Sequence, residues 1–245
     1  MRWSGNLGLS LINNLTLRLA FSILAMGMAD LAQHNGWGLF NNVNVPQAVA
    51  LVATLVVLDL VICLQHAMFQ RVPLLWRLHC VHHTDIELDV SSAERIHVGE
   101  IVILIGIKLA VVAVLGVPVL AVLLFEIWLD ATSMFHNSNL RIPTNVDRWL
   151  RWVIVTPDMH RVHHSAVADE TNSNFAFNLP WWDRLLGTYG AQPRGGHEAM
   201  TIGLPNFCEA REQYLDWLLF QPLLSEQRED RPMQESPPST AHVRS

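Results

Sequence analysis

The 245-residue chain contains few charged residues and almost no lysine. Only 16% of its residues are charged and 51% are hydrophobic, whereas about a quarter of a typical soluble domain is charged. Lys108 is the single lysine among 16 basic residues, and the net charge is -6. The composition therefore predicts a membrane protein, and the lack of net positive charge argues against a nucleic-acid partner.

Cysteine is also scarce. Cys63, Cys80 and Cys208 form no CxxC pair, which argues against a disulfide framework and against a thiolate zinc site. Apolar packing is the role expected for these thiols. No cleaved signal peptide is predicted, because Asn13 and Asn14 interrupt the first apolar run and no cleavage motif follows it.

Four apolar stretches predict membrane-spanning helices. They cover about residues 7–31, 46–64, 101–115 and 117–129. A full crossing needs about 20 apolar residues, so the last two stretches, separated by Gly116 and Pro118, are predicted to form a tight hairpin. Lys108 and Glu126 lie nine residues on either side of position 117. Charged residues inside a membrane generally pair, so we expect these two to form an ion pair.

The distribution of arginine predicts the orientation in the membrane. The loop 33–46 and the turn 116–118 contain no Lys or Arg. The segments on the other side hold Arg71, Arg77, Arg95, Arg141, Arg148, Arg151 and Arg161. The positive-inside rule therefore predicts that both termini and the clustered histidines lie in the cytoplasm. We expect an all-α protein with about four spans and a cytoplasmic helical cap, followed by a disordered tail at 225–245.

Histidine is the abundant functional residue type, with twelve copies. The pattern HxxHH occurs twice, as His79, His82 and His83 and as His160, His163 and His164. Residues at i, i+3 and i+4 of a helix share one face. Each motif therefore presents three imidazoles towards one point, and we predict that the two triplets converge on one metal centre.

Other residues at helix ends extend the candidate ligand set. His66 and His136 end the second and fourth apolar stretches, and Gln70 lies one helical turn beyond His66. His97 is either a ligand or a structural histidine. Imidazole suits Zn, Cu, Fe and Ni, and the absence of an HExxH motif argues against a zincin protease.

Carboxylates near these histidines are candidates for orienting the imidazoles. Asp59 and Asp130 precede His66 and His136 by seven and six residues inside apolar helices, where ionisable residues are functional candidates. The weaker candidates, for which a surface charge is the alternative, are Asp85, Asp89, Asp158 and Glu100.

Taken together, these motifs resemble the fatty acid hydroxylase and sterol desaturase superfamily of membrane oxygenases. The segments that carry the resemblance are DLVICLQHAMFQ (59–70), LWRLHCVHHT (75–84), RIH (95–97), FHNSNLRIP (135–143), PDMHRVHHS (157–165), NSNF (172–175) and WDRLLGTY (182–189). The resemblance implies a catalytic domain at 46–190, with an N-terminal span and far-side loop at 1–45 and a C-terminal cap segment at 191–224.

The resemblance also implies chemistry. It implies two iron ions, O2 as co-substrate, and hydroxylation or desaturation of a lipid or sterol-like C–H bond. Zinc, which imidazole also suits, is the alternative metal in a purified form. The resemblance implies that the ligands are His66, His79, His82, His83, His136, His160, His163 and His164. Gln70 stands where the first histidine box of the family has its second histidine, so the alternative is a weakened or inactive metal-binding membrane protein.

The implied partners follow from the same comparison. No His-Pro-Gly-Gly haem motif is present, so a separate electron donor (a ferredoxin, a cytochrome or a reductase) is expected. A bacterial inner membrane is the expected location.

Overall fold

The computed structural model of the protein describes residues 2–20, 24–207 and 209–224, and the predicted disordered tail lies outside these ranges. The described part of the chain is helical and contains no strand beyond an isolated bridge between Ser165 and Ile202, which confirms the all-α prediction. Its helices are α1 (Arg2–Ala20), α2 (Leu24–His34), α3 (Leu39–Asn42), α4 (Gln47–Arg71), α5 (Pro73–His83), α6 (Val98–Leu115), α7 (Val119–Asn137), α8 (Thr144–Leu150), α9 (Pro157–His163), α10 (Ala168–Thr171), α11 (Trp181–Leu186) and α12 (Leu215–Leu224), with 3₁₀ helices at Val90–Glu94 and Ala210–Gln213.

Among the described helices, α4, α6 and α7 are long and apolar enough to cross a membrane. The first predicted span, at about residues 7–31, falls on α1 and α2, and the residues between these two helices lie outside the described ranges. Asn6 and Asn13 of α1 are buried, and they donate hydrogen bonds to the carboxylate of Asp85 and the carbonyl of Ile96. The polar residues of α1 therefore bind the segment that precedes α6, and a count of four uniform spans is not confirmed.

The predicted hairpin is formed by α6 and α7. Helix α6 ends at Gly116, whose φ of 64° is left-handed and suits glycine, and Pro118 precedes the first turn of α7. The Lys108 Nζ lies 2.8 Å from Oε1 and 2.9 Å from Oε2 of Glu126. This confirms the ion pair and shows that these two residues, equidistant from the turn, face each other across the hairpin.

Two prolines begin the helices that carry the HxxHH motifs. Pro73 starts α5 and Pro157 starts α9, positions at which the missing N–H of proline costs nothing. Because the chain turns at Val72, α5 packs back against α4. The rings of His66 on α4 and His79 on α5 are therefore only 4.9 Å apart.

Arg95 holds the end of α5 in place. Its guanidinium is fully buried and donates hydrogen bonds to the Val81 carbonyl, the Thr84 hydroxyl and the amide oxygens of Gln213 and Asn6. Arg95 thus joins α1, the end of α5 and the 3₁₀ helix at Ala210–Gln213 behind the histidines.

A small apolar core fixes the C-terminal region on the end of α4. Cys63 packs there with Val155, Met159, Phe175 and Ala176. Apolar packing is thereby confirmed for Cys63, whereas Cys208 lies outside the described residues.

Candidate metal centre

Seven buried histidines form two groups at the mouths of the helices. The first group is His66, His79, His83 and His163, and the second is His82, His160 and His164. Within each group, one ring nitrogen from every member lies within 4.8 Å of those of the others. Each group is therefore compact enough for one metal ion, since histidine–metal bonds are about 2.0–2.1 Å long.

The two HxxHH motifs are divided between the groups in a reciprocal way. The first motif gives its i and i+4 histidines to the first group and its i+3 histidine to the second. The second motif does the reverse. At about 100° per residue, the i and i+4 side chains are close in direction while the i+3 side chain points to the other side. The motifs do converge, because the rings of His83 and His164 stack with their centroids 4.7 Å apart.

Three imidazoles of the first group are held by acceptors from neighbouring elements. Nδ1 of His79 lies 2.8 Å from the Glu100 carboxylate. Nδ1 of His66 lies 2.9 Å from the Phe175 carbonyl, and Nδ1 of His163 lies 2.9 Å from the Ser173 carbonyl. Carboxylate and carbonyl oxygens only accept, so each Nδ1 carries the proton.

The opposite ring nitrogens of the first group are left free for a ligand. Nε2 is buried without a hydrogen-bond partner in His66, His79, His83 and His163. Buried polar atoms are rarely left unpaired, and imidazoles that bind metals donate their other N–H to just such acceptors. The first group therefore has the donor set of a metal site.

The second group is less restrained. Nε2 of His160 and Nε2 of His164 are 3.1 Å apart, close to the roughly 3.4 Å expected for two tetrahedral ligands of one ion. Nδ1 is buried without a partner in His82, His160 and His164. The ring of His136 lies beside this group, 4.2 Å from that of His160, and packs against Phe177.

Burial keeps the histidines outside the spanning helices neutral. Desolvation, reinforced by the neighbouring imidazoles, lowers the pKa well below its usual value in His82, His83, His160, His163 and His164. Neutral imidazole is the form that binds metals, so these side chains are ready to bind one at neutral pH.

Two further candidate ligands have different surroundings. Gln70 is buried, its Nε2 lies 3.5 Å from the Thr171 carbonyl, and its Oε1 has no partner. His97 belongs to neither group. Its two ring nitrogens have other partners: Nδ1 accepts a hydrogen bond from the Gly99 N–H, and Nε2 lies 3.2 Å from the Leu219 carbonyl. His97 therefore caps the start of α6, the helix that carries Glu100.

Of the predicted carboxylates, Glu100 is the one that the described structure places in contact with an imidazole of the two histidine groups. Asp59 instead accepts hydrogen bonds from Asn178, Leu179 and Trp182. Asp183, which the sequence analysis did not single out, accepts the backbone N–H groups of Phe175 and Ala176. Both acids thus anchor the loop 174–179, whose Phe175 carbonyl holds His66.

The remaining acids have other partners or surroundings, and Asp158 lies 3.9 Å from Nε2 of His197, a histidine outside the two groups. Asp130 is exposed. Arg2 binds both Asp85 and Asp89, and Arg161 binds Asp158. The Ser173 and Phe175 carbonyls could not be identified from sequence, because every residue has one.

An apolar chamber of about 130 Å³ leads to both histidine groups. Its lining residues include Ile62, Ile96, Leu104, Leu129 and Phe177, with His66, His79, His82, His160 and Glu100 on the side of the metal centre. The chamber can therefore bring an apolar chain to both groups.

Comparison with known proteins identifies the family to which the chain belongs. The model of the fatty acid hydroxylase family matches residues 51–188. An ornithine lipid hydroxylase of Rhizobium tropici is 33% identical over 152 residues, covering 61% of this chain and 44% of that protein. Cholesterol 25-hydroxylase of Rattus norvegicus is 30% identical over 168 residues, covering 65% and 52%.

A third relative is more distant. Alkylglycerol monooxygenase of Homo sapiens is 27% identical over 144 residues, covering 57% of this chain and 29% of that protein. The chain thus spans about half or less of the length of these relatives. No solved structure matches it.

Proposed function

Because the chain belongs to the fatty acid hydroxylase family, we propose that it is an O2-dependent membrane oxygenase that hydroxylates, or desaturates, a lipid C–H bond at two iron ions. The observation that carries the proposal is the pair of histidine groups, four and three residues in size, that share one apolar chamber. The catalytic unit would comprise residues 46–190.

The residues fit the proposed metals. The first ion would be held by His66, His79, His83 and His163, and the second by His82, His160 and His164 with His136 beside them. Imidazole nitrogen suits iron, and it also suits zinc, which could replace iron in purified protein. Bound iron would supply the activation of O2 and the oxidation of the C–H bond.

The protein would orient the ligands and keep water out. Glu100 holds the proton on Nδ1 of His79, and the loop carbonyls do the same for His66 and His163. The ring of Phe175 packs edge-on against His66 and His163, with centroid distances of 5.7 and 5.8 Å. This shell excludes solvent while the chamber admits the lipid.

The substrate, donor and orientation are parts of the same proposal. The apolar chamber and the lipid-modifying relatives support a lipid substrate. Electrons would come from a separate ferredoxin, cytochrome or reductase. The arginine distribution supports cytoplasmic placement of the metal centre and both termini, in a bacterial inner membrane.

Gln70 supports a second candidate function, that of a metal-binding protein without oxygenase activity. Iron-loaded protein in lipid nanodiscs, given reductant and isotope-labelled O2, separates the two by mass spectrometry of the lipids. The proposed oxygenase predicts a lipid product that carries one labelled oxygen or lacks two hydrogens. Iron-loaded protein that consumes no O2 with any extracted lipid would favour the second candidate.

A further inference from the structure

Exposed aromatic and aliphatic side chains cover one outer side of the cap. Trp149, Trp152 and Val153 lie at and just after the end of α8, and Trp181 and Leu185 lie on α11. These five side chains, called the aromatic face here, are between 48% and 76% exposed, and none of them lines the chamber. Contiguous exposed apolar surface marks an interaction site, so the aromatic face is expected to contact a partner.

The two parts of the aromatic face are joined into one surface. Nε1 of Trp181 donates a hydrogen bond to the Trp152 carbonyl at 2.7 Å. The guanidinium of Arg184 lies 3.9 Å from the centroid of the Trp152 ring and donates to the Arg151 carbonyl. Leu185 is one helical turn from Trp181, on the same side of α11. The polar atoms at the junction are thus satisfied by the protein, which is what burial in lipid requires.

The carboxylates of α8 and α11 are turned away from the aromatic face. Asp147 and Asp183 are both buried and bind groups of the protein. Arg148, by contrast, is exposed, and its guanidinium lies 5.4 Å from the centroid of the Trp149 ring. Tryptophan is enriched at the level of lipid headgroups, and basic side chains are attracted to anionic headgroups. The chemistry of the aromatic face therefore matches the boundary between acyl chains and headgroups.

Contacts with two spanning helices give the depth of α11 in the membrane. Trp182 of α11 donates to Asp59, which lies 12 residues after the first residue of α4. Asn178, in the loop before α11, binds Thr132, which lies 13 residues after the first residue of α7. At 1.5 Å per residue, both contacts are roughly 18–20 Å from the far-side ends of these helices. The hydrocarbon core is about 30 Å thick, so α11 begins within that thickness.

Helix α10 lies beyond the membrane by the same measure. It packs beside the end of α4, because Nε2 of Gln70 lies 3.5 Å from the Thr171 carbonyl. Gln70 is 23 residues after the first residue of α4, roughly 35 Å along the helix. Asp169 of α10 is exposed and pairs with Arg194, as suits a surface in water. The aromatic face and α10 therefore differ in both depth and chemistry.

We propose that the aromatic face is embedded in the lipid leaflet nearest the metal centre, with acyl chains as its partner and Arg148 at the level of the headgroups. The cap is then inserted into the membrane on this side and does not stand clear of it. Its lipid contacts hold the loop 174–179, and with it the Phe175 carbonyl that binds His66, at a fixed depth. The inference goes beyond the proposed function and requires only that α4 and α7 cross the membrane.

Fluorescent labels at matched positions test the proposal. Leu185→Cys and Val153→Cys place the fluorophore NBD on the two parts of the aromatic face, and Asp169→Cys, on α10, is the control. Each is made in full-length Cys208→Ser protein, loaded with zinc and placed in phosphatidylcholine nanodiscs. The remaining native thiols are buried and escape labelling. Two labelled positions keep the test decisive if one variant fails to fold.

The quenchers are iodide, which stays in water, and phosphatidylcholine with a nitroxide on its acyl chain. We expect the nitroxide lipid to quench the labels at 185 and 153 strongly. Iodide should quench them about tenfold less than the label at 169, because ions are costly in the hydrocarbon region. Equal quenching by iodide at all three positions would place the aromatic face in water and overturn the proposal. Protection from both quenchers would also overturn it, because a second copy of the chain or another protein would then cover the face.

Discussion

The two histidine groups differ in how the protein holds them. In the first group, His66, His79 and His163 each bind an acceptor on another element through Nδ1. In the second group, Nδ1 of every member is buried without a partner. Outer acceptors fix the tautomer and the direction of a ligand, so the first group is organised before the metal binds and the second depends more on the metal itself.

Both groups nevertheless reach the same substrate space. His66 and His79 of the first group and His82 and His160 of the second line the chamber. The comparison therefore predicts two metal sites that act on the same substrate but differ in affinity, with tighter metal binding in the first group.

Removal of one ligand should have the largest effect. His79→Ala should abolish metal binding at the first group, and His160→Ala should abolish it at the second. Each variant should lower lipid turnover by more than about a hundredfold, because the loss of a ligand exceeds the loss of a hydrogen-bond partner of that ligand. Metal content and turnover are measured together. His34→Ala, which alters an exposed histidine, is the control. If it lost as much metal and turnover as the other two variants, the assignment of His79 and His160 as ligands would be wrong.

Removal of the outer acceptor should come next. Glu100→Ala leaves Nδ1 of His79 without its acceptor and should weaken metal binding at the first group by about ten- to hundredfold. Glu100→Gln keeps an acceptor oxygen and should be milder. A competition titration with a chelator measures both. If the affinity of the second group falls instead, the two groups are not separate sites.

Loss of the loop anchor should mainly reduce stability. Asp59→Ala removes the acceptor of donors from Asn178, Leu179 and Trp182 and should lower the free energy of unfolding by about 3 kcal/mol. Thermal unfolding in detergent measures it, with Asp30→Ala as the exposed control. An unchanged melting temperature would show that the loop 174–179 does not depend on Asp59.

Substitution of Gln70 should have the smallest effect. Gln70→His introduces an imidazole one turn beyond His66, and we expect iron binding to rise by several-fold, up to about tenfold, if this position faces the metal. Gln70→Ala should lower it slightly. If neither variant changes iron affinity or turnover, Gln70 is not a ligand and the oxygenase does not need a second residue in the first box.

The sequence predicted those features that follow from simple periodicity. Helical spacing predicted the convergence of the HxxHH motifs, and symmetry about the turn predicted that Lys108 binds Glu126. Tertiary contacts decided the rest. The division of each motif between two groups, the capping role of His97 and the acceptors for His66 and His163 depend on where separate elements meet.

The N-terminal segment shows a different limit. The hydropathy pattern identified Asn13 as an interruption of a span, yet the residue is buried and its amide N–H donates a hydrogen bond to the Ile96 carbonyl. A polar residue in an apolar run can weaken a membrane helix or join two segments of the fold, and only the positions of its neighbours distinguish the two.

The number of iron ions bound per chain tests the central claim most directly. Protein loaded anaerobically with ferrous iron and freed of loosely bound metal should contain two ions in the wild type. The double variant His160→Ala/His164→Ala removes most of the second group and should contain one, held by the first group. A wild type that binds a single ion, or a double variant that binds none or still binds two, would contradict the assignment of two separate metal sites.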